Sequence, residues 1–290
     1  MLNHLPRNEN SRVKVRKWQL VLCDLDGTLL NHENLVSPEN LAAIAALADH
    51  QIGFTLSTGR MDCMTRLYVS QLRVTLPIIA CNGAVIRDCA SNELIRKTCI
   101  PPEDVLLITS WMSRHKMDYL IYSPDAVYYP AESRRIDVLH QYNRQAAAHH
   151  ESPVPLFELN SHLLDQRADQ VVKMLAILPE QKDQSDLQQF LAARKGCEAV
   201  RSMDNTMDIM ASGVSKGDAM VTLADMIGIS PDNVVALGDH DNDVSMLQTA
   251  GLGIAMGNAT PLAVAAGKVR TLDNDQSGVA AAIYRYVLSN

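Results

Sequence analysis

Aromatic residues are scarce in this sequence, at 4% of 290 residues. A core with so few rings has to be assembled mainly from Leu, Val, Ile, Ala and Met. There is no run of about 18 apolar residues, so neither a transmembrane helix nor a membrane partner is expected. Positive charge is not in excess: the formal net charge is -7, which favours solubility and argues against a nucleic-acid partner. The first 17 residues carry Arg7, Arg12, Lys14, Arg16 and Lys17 without the apolar stretch of a secretory signal. They read as an extension ahead of the first strand. The six cysteines, Cys23, Cys63, Cys81, Cys89, Cys99 and Cys197, include no Cys-x-x-Cys pair. No disulfide framework or zinc site is indicated, which fits a reducing cytoplasm. Internal repeats and low-complexity segments are missing too.

What is present is an alternation of short apolar runs and helical patterns. Gln19 to Cys23 is apolar and ends at a carboxylate. Ser37-Pro38 is a helix start, followed by Leu41, Ile44, Ala45, Leu47 and Ala48 at helical spacing. Ile52 to Leu56 and Pro77 to Cys81 read as further buried strands. The resulting βαβαβ order predicts a parallel sheet covered by helices on both faces. After residue 84 the pattern changes to a hairpin, short strands and helices, and from Met207 the α/β alternation resumes. The expected organisation is an extension over 1–17, a core unit from 18–84 and 206–290, and an inserted α+β unit over 85–205. Ser277 is expected to cap a last helix.

Polar residues gather where three apolar runs end: Asp24-Leu25-Asp26-Gly27-Thr28, Ser57-Thr58-Gly59-Arg60, and Gly238-Asp239-His240-Asp241-Asn242-Asp243. Ligands of open parallel sheets bind beyond the carboxyl ends of the strands, so the three clusters should converge. Asp24 and Asp26 are two apart and tend to share a direction near a strand end. With Asp239 and Asp243 they make four carboxylates that repel one another unless a cation lies between them. Oxygen ligands and an anionic partner point to magnesium. Each aspartate taken alone is equally an ordinary turn or cap residue. Thr58 is either a helix cap or an anion-holding hydroxyl. Lys216 opens a helix, where a cation is disfavoured by the helix dipole, a hint that it reaches an anion.

Taken in order, these residues resemble the haloacid dehalogenase superfamily, and within it the Cof-type phosphatases. The resemblance rests on Asp24 to Thr28, on Thr58 (with Ser57 as the other reading), on Lys216 in Gly213-Val214-Ser215-Lys216-Gly217, and on Gly238 to Asp243. Asn82-Gly83-Ala84 and Gly253 to Ala259 add to it. It implies a Rossmann-like α/β core with an inserted α+β cap, and a magnesium-dependent phosphatase acting on a small phosphorylated metabolite. In that scheme Asp24 is the nucleophile and Asp26 the general acid and base. The metal is held by Asp24, the Asp26 main-chain carbonyl and Asp239, with Asp243 behind them. Thr58, Lys216 and Asn242 hold the phosphate.

Two other outcomes suit the same residues: a phosphotransferase or mutase that passes the group to a sugar hydroxyl, and a binding module without turnover. Arg60, Asn82 and Lys173 are candidate substrate contacts. His149-His150 reads as a solvated helix end, since adjacent residues do not share a helical face. Met203, Met207 and Met210 read as core fillers. Sugar phosphates, nucleotides and cofactor phosphates all remain as substrates.

Overall fold

The computed structural model describes residues 17–289, apart from 179 and 204. Except for Lys17, the expected basic extension lies outside the described residues. The strands are β1 (Leu20–Cys23), β2 (Gly53–Leu56), β3 (Ile78–Ala80), β4 (Val85–Arg87), β5 (Leu94–Lys97), β6 (Asp118–Tyr122) and β7 (Val127–Tyr129). They continue with β8 (Leu156–Glu158), β9 (Lys173–Ile177), β10 (Cys197–Met203), β11 (Thr206–Ala211), β12 (Val234–Gly238), β13 (Leu252–Ala255) and β14 (Val269–Arg270).

A five-stranded parallel sheet has the order β14-β13-β12-β1-β2. Side chains alternate across it, so each strand feeds two cores. Val21 and Cys23 pack with Ala43 and Leu47 of the helix Pro38–Asp49 and with Val279 and Ile283 near the carboxyl end. Leu20 and Leu22 face the other way, toward Met220 and Leu223 of the helix Lys216–Met226. This is the two-faced α/β arrangement expected from the alternation. Ser37 caps the first of these helices by accepting from the Asn40 N–H at 3.2 Å. Ser277 does not act as expected: its φ is 55° and its side chain makes no cap bond to the helix Gly278–Ala282. Its hydroxyl instead lies 2.8 Å from that of Ser37.

A second sheet of six strands has the order β10-β11-β9-β6-β7-β8. It is antiparallel throughout except for the parallel β7–β8 pair. Both expected limits of the inserted unit move. The hairpin β4–β5 joins β3 in a separate three-stranded sheet, not the six-stranded one. β3 itself meets the parallel sheet through a parallel bridge between Ser57 and Ile79. At the other end β11, expected within the core, pairs with β9 and β10. Every residue of β11 is buried, so its sequence suits a central strand of either sheet, and only its pairing partners decide. No helix among the described residues is long and apolar enough to cross a membrane.

Candidate active site

β1 lies between β12 and β2, where the strand order reverses direction. The loops leaving these strands open a crevice at the sheet's carboxyl edge, the usual ligand position in such sheets. Asp24 follows β1 directly and is 5% exposed. Its N–H donates to the Leu237 carbonyl at 3.0 Å, which continues the parallel ladder and fixes the backbone of Asp24 beside β12. Asp239 follows β12, and Asp243 lies in the short turn after it.

Lys216 joins these loops. It is the first residue of its helix, after the cap Ser215, and its side chain is completely buried. Its Nζ donates to Asp24 Oδ1 and to Asp243 Oδ1, both at 2.5 Å. The dipole argument therefore holds: the lysine tolerates a helix start because it serves two anions. Asp243 Oδ2 accepts the N–H groups of Asp239 and His240, at 2.9 and 3.0 Å. Asp243 thus turns one oxygen to Lys216 and the other to its own loop. Asp239 Oδ1 accepts from Thr28 Oγ1 at 2.9 Å. Gly27, with φ of 74°, passes so close that a Cβ there would collide with the Asp239 carboxylate.

The donor set fits a divalent cation. One carboxylate oxygen from each of Asp24, Asp239 and Asp243 can be chosen within 4.8 Å of the others. Three buried carboxylates face a single ammonium, so negative charge is left over. Burial first, then the Asp243 charge, hold the Asp24 carboxyl well above the usual carboxylate range, against the pull of Lys216. Burial and Asp243 likewise push Asp239 up to about 7, with Thr28 and Lys216 opposing. A divalent ion bound by oxygen ligands would relieve that repulsion.

Asp26 is set apart from this cluster. Its side chain is 45% exposed and faces a cavity of about 1010 Å³ between the two units. Arg60 grips it with a two-pronged contact, Nε to Oδ2 at 2.8 Å and Nη2 to Oδ1 at 2.6 Å. Thr58 and Ser57 are both buried. Thr58 Oγ1 accepts from the Arg60 N–H at 3.1 Å, as a capping hydroxyl would, while Ser57 Oγ has no hydrogen-bond partner among the described residues.

Asn242 reaches sideways, donating from Nδ2 to Asn82 Oδ1 at 2.9 Å. Asn82 in turn donates to Asp208 Oδ2 at 2.7 Å. Lys173, a candidate substrate contact by sequence, pairs with Asp208. Burial opposes its charge, but Asp208 together with Tyr122 and Cys81 outweighs burial and raises its pKa. Arg60 and Asn82, the other two candidates, are likewise engaged with protein groups. Thr28 and Asp208 were given no role from sequence; a carboxylate inside the apolar run of β11 was the available signal. His149 and His150 are exposed, as expected. Met207 and Met210 are buried, but Met203, the last residue of β10 and paired with Thr206, is 42% exposed and lines the cavity.

Residues 21–283 match the family model of haloacid dehalogenase-like hydrolases. The chain is similar to the pyridoxal phosphate phosphatase YbhA of Escherichia coli, 28% identical over 93% of this chain and 99% of the relative. It is also similar to the 5-amino-6-(5-phospho-D-ribitylamino)uracil phosphatase YcsE of Bacillus subtilis, 26% identical over 93% of this chain and 96% of the relative. Among solved structures, a haloacid dehalogenase-like hydrolase from B. subtilis superposes with a TM-score of 0.81 at 28% identity, covering 93% of this chain and 100% of that one.

Proposed function

This chain belongs to the haloacid dehalogenase-like hydrolases, and on that premise we propose that it is a magnesium-dependent phosphatase of small metabolites that works through a phosphorylated Asp24. The observation that carries this reading is Lys216 Nζ seated between Asp24 and Asp243, with the Asp239 carboxylate beside them. The two phosphatase relatives act on different compounds by name, and a phosphate monoester is what those compounds share. We therefore assign the class, a small phosphorylated metabolite, and no single compound. The six thiols are all free, which supports the cytoplasm as its place of work.

Asp24 attacks phosphorus in line, forming an Asp24–phosphorus bond as the bond to the leaving oxygen breaks. A carboxylate needs no base to become nucleophilic, unlike a hydroxyl. Asp26 hands a proton to the leaving oxygen and later takes one from the water that hydrolyses the phosphoenzyme. Both Asp26 oxygens accept from Arg60, so that grip has to loosen for the proton to pass. Lys216 and Thr58 hold phosphate oxygens, and Asn242 orients the group. Asp24, Asp239 and the Asp26 carbonyl would hold magnesium, with Asp243 behind them. When bound, the ion supplies positive charge that lets an anionic nucleophile approach an anionic ester.

The test is phosphate release from an aryl phosphate with and without magnesium, in the wild type and in Asp24→Asn. Release that requires magnesium and disappears in Asp24→Asn supports the reading; release undiminished in Asp24→Asn contradicts it.

A further inference from the structure

Lys173 and Asp208 form an ion pair of 3.0 Å whose side chains are 6% and 1% exposed. They lie on adjacent strands of the six-stranded sheet, β9 and β11, yet both reach out of it. Lys173 Nζ donates at 2.6 Å to the carbonyl of Gly59, in the loop after β2. Asp208 Oδ2 accepts from Asn82, just after β3, and Asn82 Oδ1 accepts from Asn242, in the loop after β12. A single buried pair of the inserted unit thus touches two loops of the core and, through Asn82, reaches a third. Such a pair adds little stability over apolar residues of similar volume, so stability alone is a weak reason for it.

The order of donors and acceptors gives a better reason. A side-chain amide has a donor end and an acceptor end, and either can face a neighbour. A carboxylate only accepts. Asp208 therefore forces Asn82 to turn its NH2 inward and present Oδ1 to Asn242. Asn242 must then turn its own NH2 toward Asn82, which leaves one of its two N–H donors for the cavity it lines. Two amides in series take their direction from one acceptor.

We propose that Asp208, fixed by Lys173, is a positioning residue that sets the orientation of Asn242 through Asn82. The proposal rests on the phosphatase reading above, in which Asn242 orients the phosphate. Its distinguishing feature is that the acceptor at 208 matters, not the charge.

Two double variants separate these. Lys173→Met/Asp208→Asn removes both charges but keeps an acceptor for Asn82. Lys173→Met/Asp208→Leu removes both charges and the acceptor. With an aryl phosphate and magnesium, kcat of the Leu double should fall at least about tenfold below that of the Asn double, with KM changing less than about threefold. Asn82→Gly keeps the left-handed backbone of residue 82 without strain, touches neither charge, and should lose kcat to the same extent. Combined with the Leu double it should cost nothing further, because both act on one chain of contacts. Equal kcat in the two doubles, or losses that add, would overturn the proposal. Should a double fail to fold, Asn82→Gly alone decides: a loss under about threefold overturns it. A wild type that releases no phosphate would refute the phosphatase reading alone. In that case side-chain amide exchange measured by NMR tests the positioning. The Asn242 NH2 should exchange slowly in the wild type and quickly in Lys173→Met/Asp208→Leu. Identical exchange in the two would overturn it.

Discussion

Lys216 Nζ lies 2.5 Å from Asp24 Oδ1, and the lysine is fully buried. Removing one member of a buried ionic group leaves its partners uncompensated, at about 3–5 kcal/mol. Lys216→Met should therefore lower the unfolding free energy by about that much in metal-free protein, and abolish phosphate release. Thermal unfolding and a release assay check the two effects. A variant as stable as the wild type would mean that Asp24 and Asp243 do not depend on this cation.

On the proposed function, the same surplus of negative charge would bind magnesium even in the absence of substrate. An ion that binds only the folded state stabilises it, by about 2.7 kcal/mol at a hundredfold excess over Kd. Chelation should lower Tm, and magnesium should restore it in proportion to the logarithm of its concentration. Asp239→Asn should lose most of this response. Calorimetric scans across a magnesium series measure it.

Asp239 gives the pH dependence its sign. Its carboxyl is pushed up to about 7 in the folded chain from an ordinary 3.8, so in that window the folded state binds more protons than the unfolded one. Without metal, its contribution to stability is present at low pH and is lost as pH rises through about 7. Magnesium needs the ionised form. The apparent magnesium affinity should weaken by up to about tenfold per pH unit below pH 7. Titration calorimetry across that range tests this, and an affinity independent of pH would count against Asp239 as a ligand.

Gly27 is placed where a side chain has no room. Gly27→Ala combines a φ of 74° with a collision against the Asp239 carboxylate. Magnesium affinity should fall by more than about tenfold, while the apolar cores, untouched by the change, keep the chain folded. Metal titration together with circular dichroism separates the two effects.

Arg60 holds Asp26 by a planar fork, and a lysine cannot reproduce that geometry. Arg60→Lys should lower kcat by about tenfold or more, with a smaller change in KM. Because the fork has to loosen for the proton to pass, its part is to aim the carboxyl beforehand. Steady-state kinetics on an aryl phosphate decide; an unchanged kcat would show that the fork is not needed to aim Asp26.

These contrasts show which parts of the molecule could be read from sequence. The strand ends at Asp24 and Asp239 were legible because buried parallel strands are short apolar runs and the change to polar residues is abrupt. Lys216 was legible because its place at a helix start is unfavourable without an anion. β11 was misplaced because a strand buried on both faces carries no mark of which sheet it joins. β8, with Pro155 just before it and mostly exposed side chains, left no strand signal. Ser277 looks like a cap in sequence, but its left-handed backbone rules that out. The grip of Arg60 on Asp26 and the line from Asp208 to Asn242 connect residues distant in the chain, and no local pattern announces them.

Phosphorylation of Asp24 is the point on which the account turns. The direct measurement is a rapid acid quench during turnover of a radiolabelled phosphate ester, followed by peptide mapping. The account predicts a hydroxylamine-labile label on the peptide containing Asp24, absent from Asp24→Asn. A label on another residue, or turnover by Asp24→Asn at the wild-type rate, would contradict it.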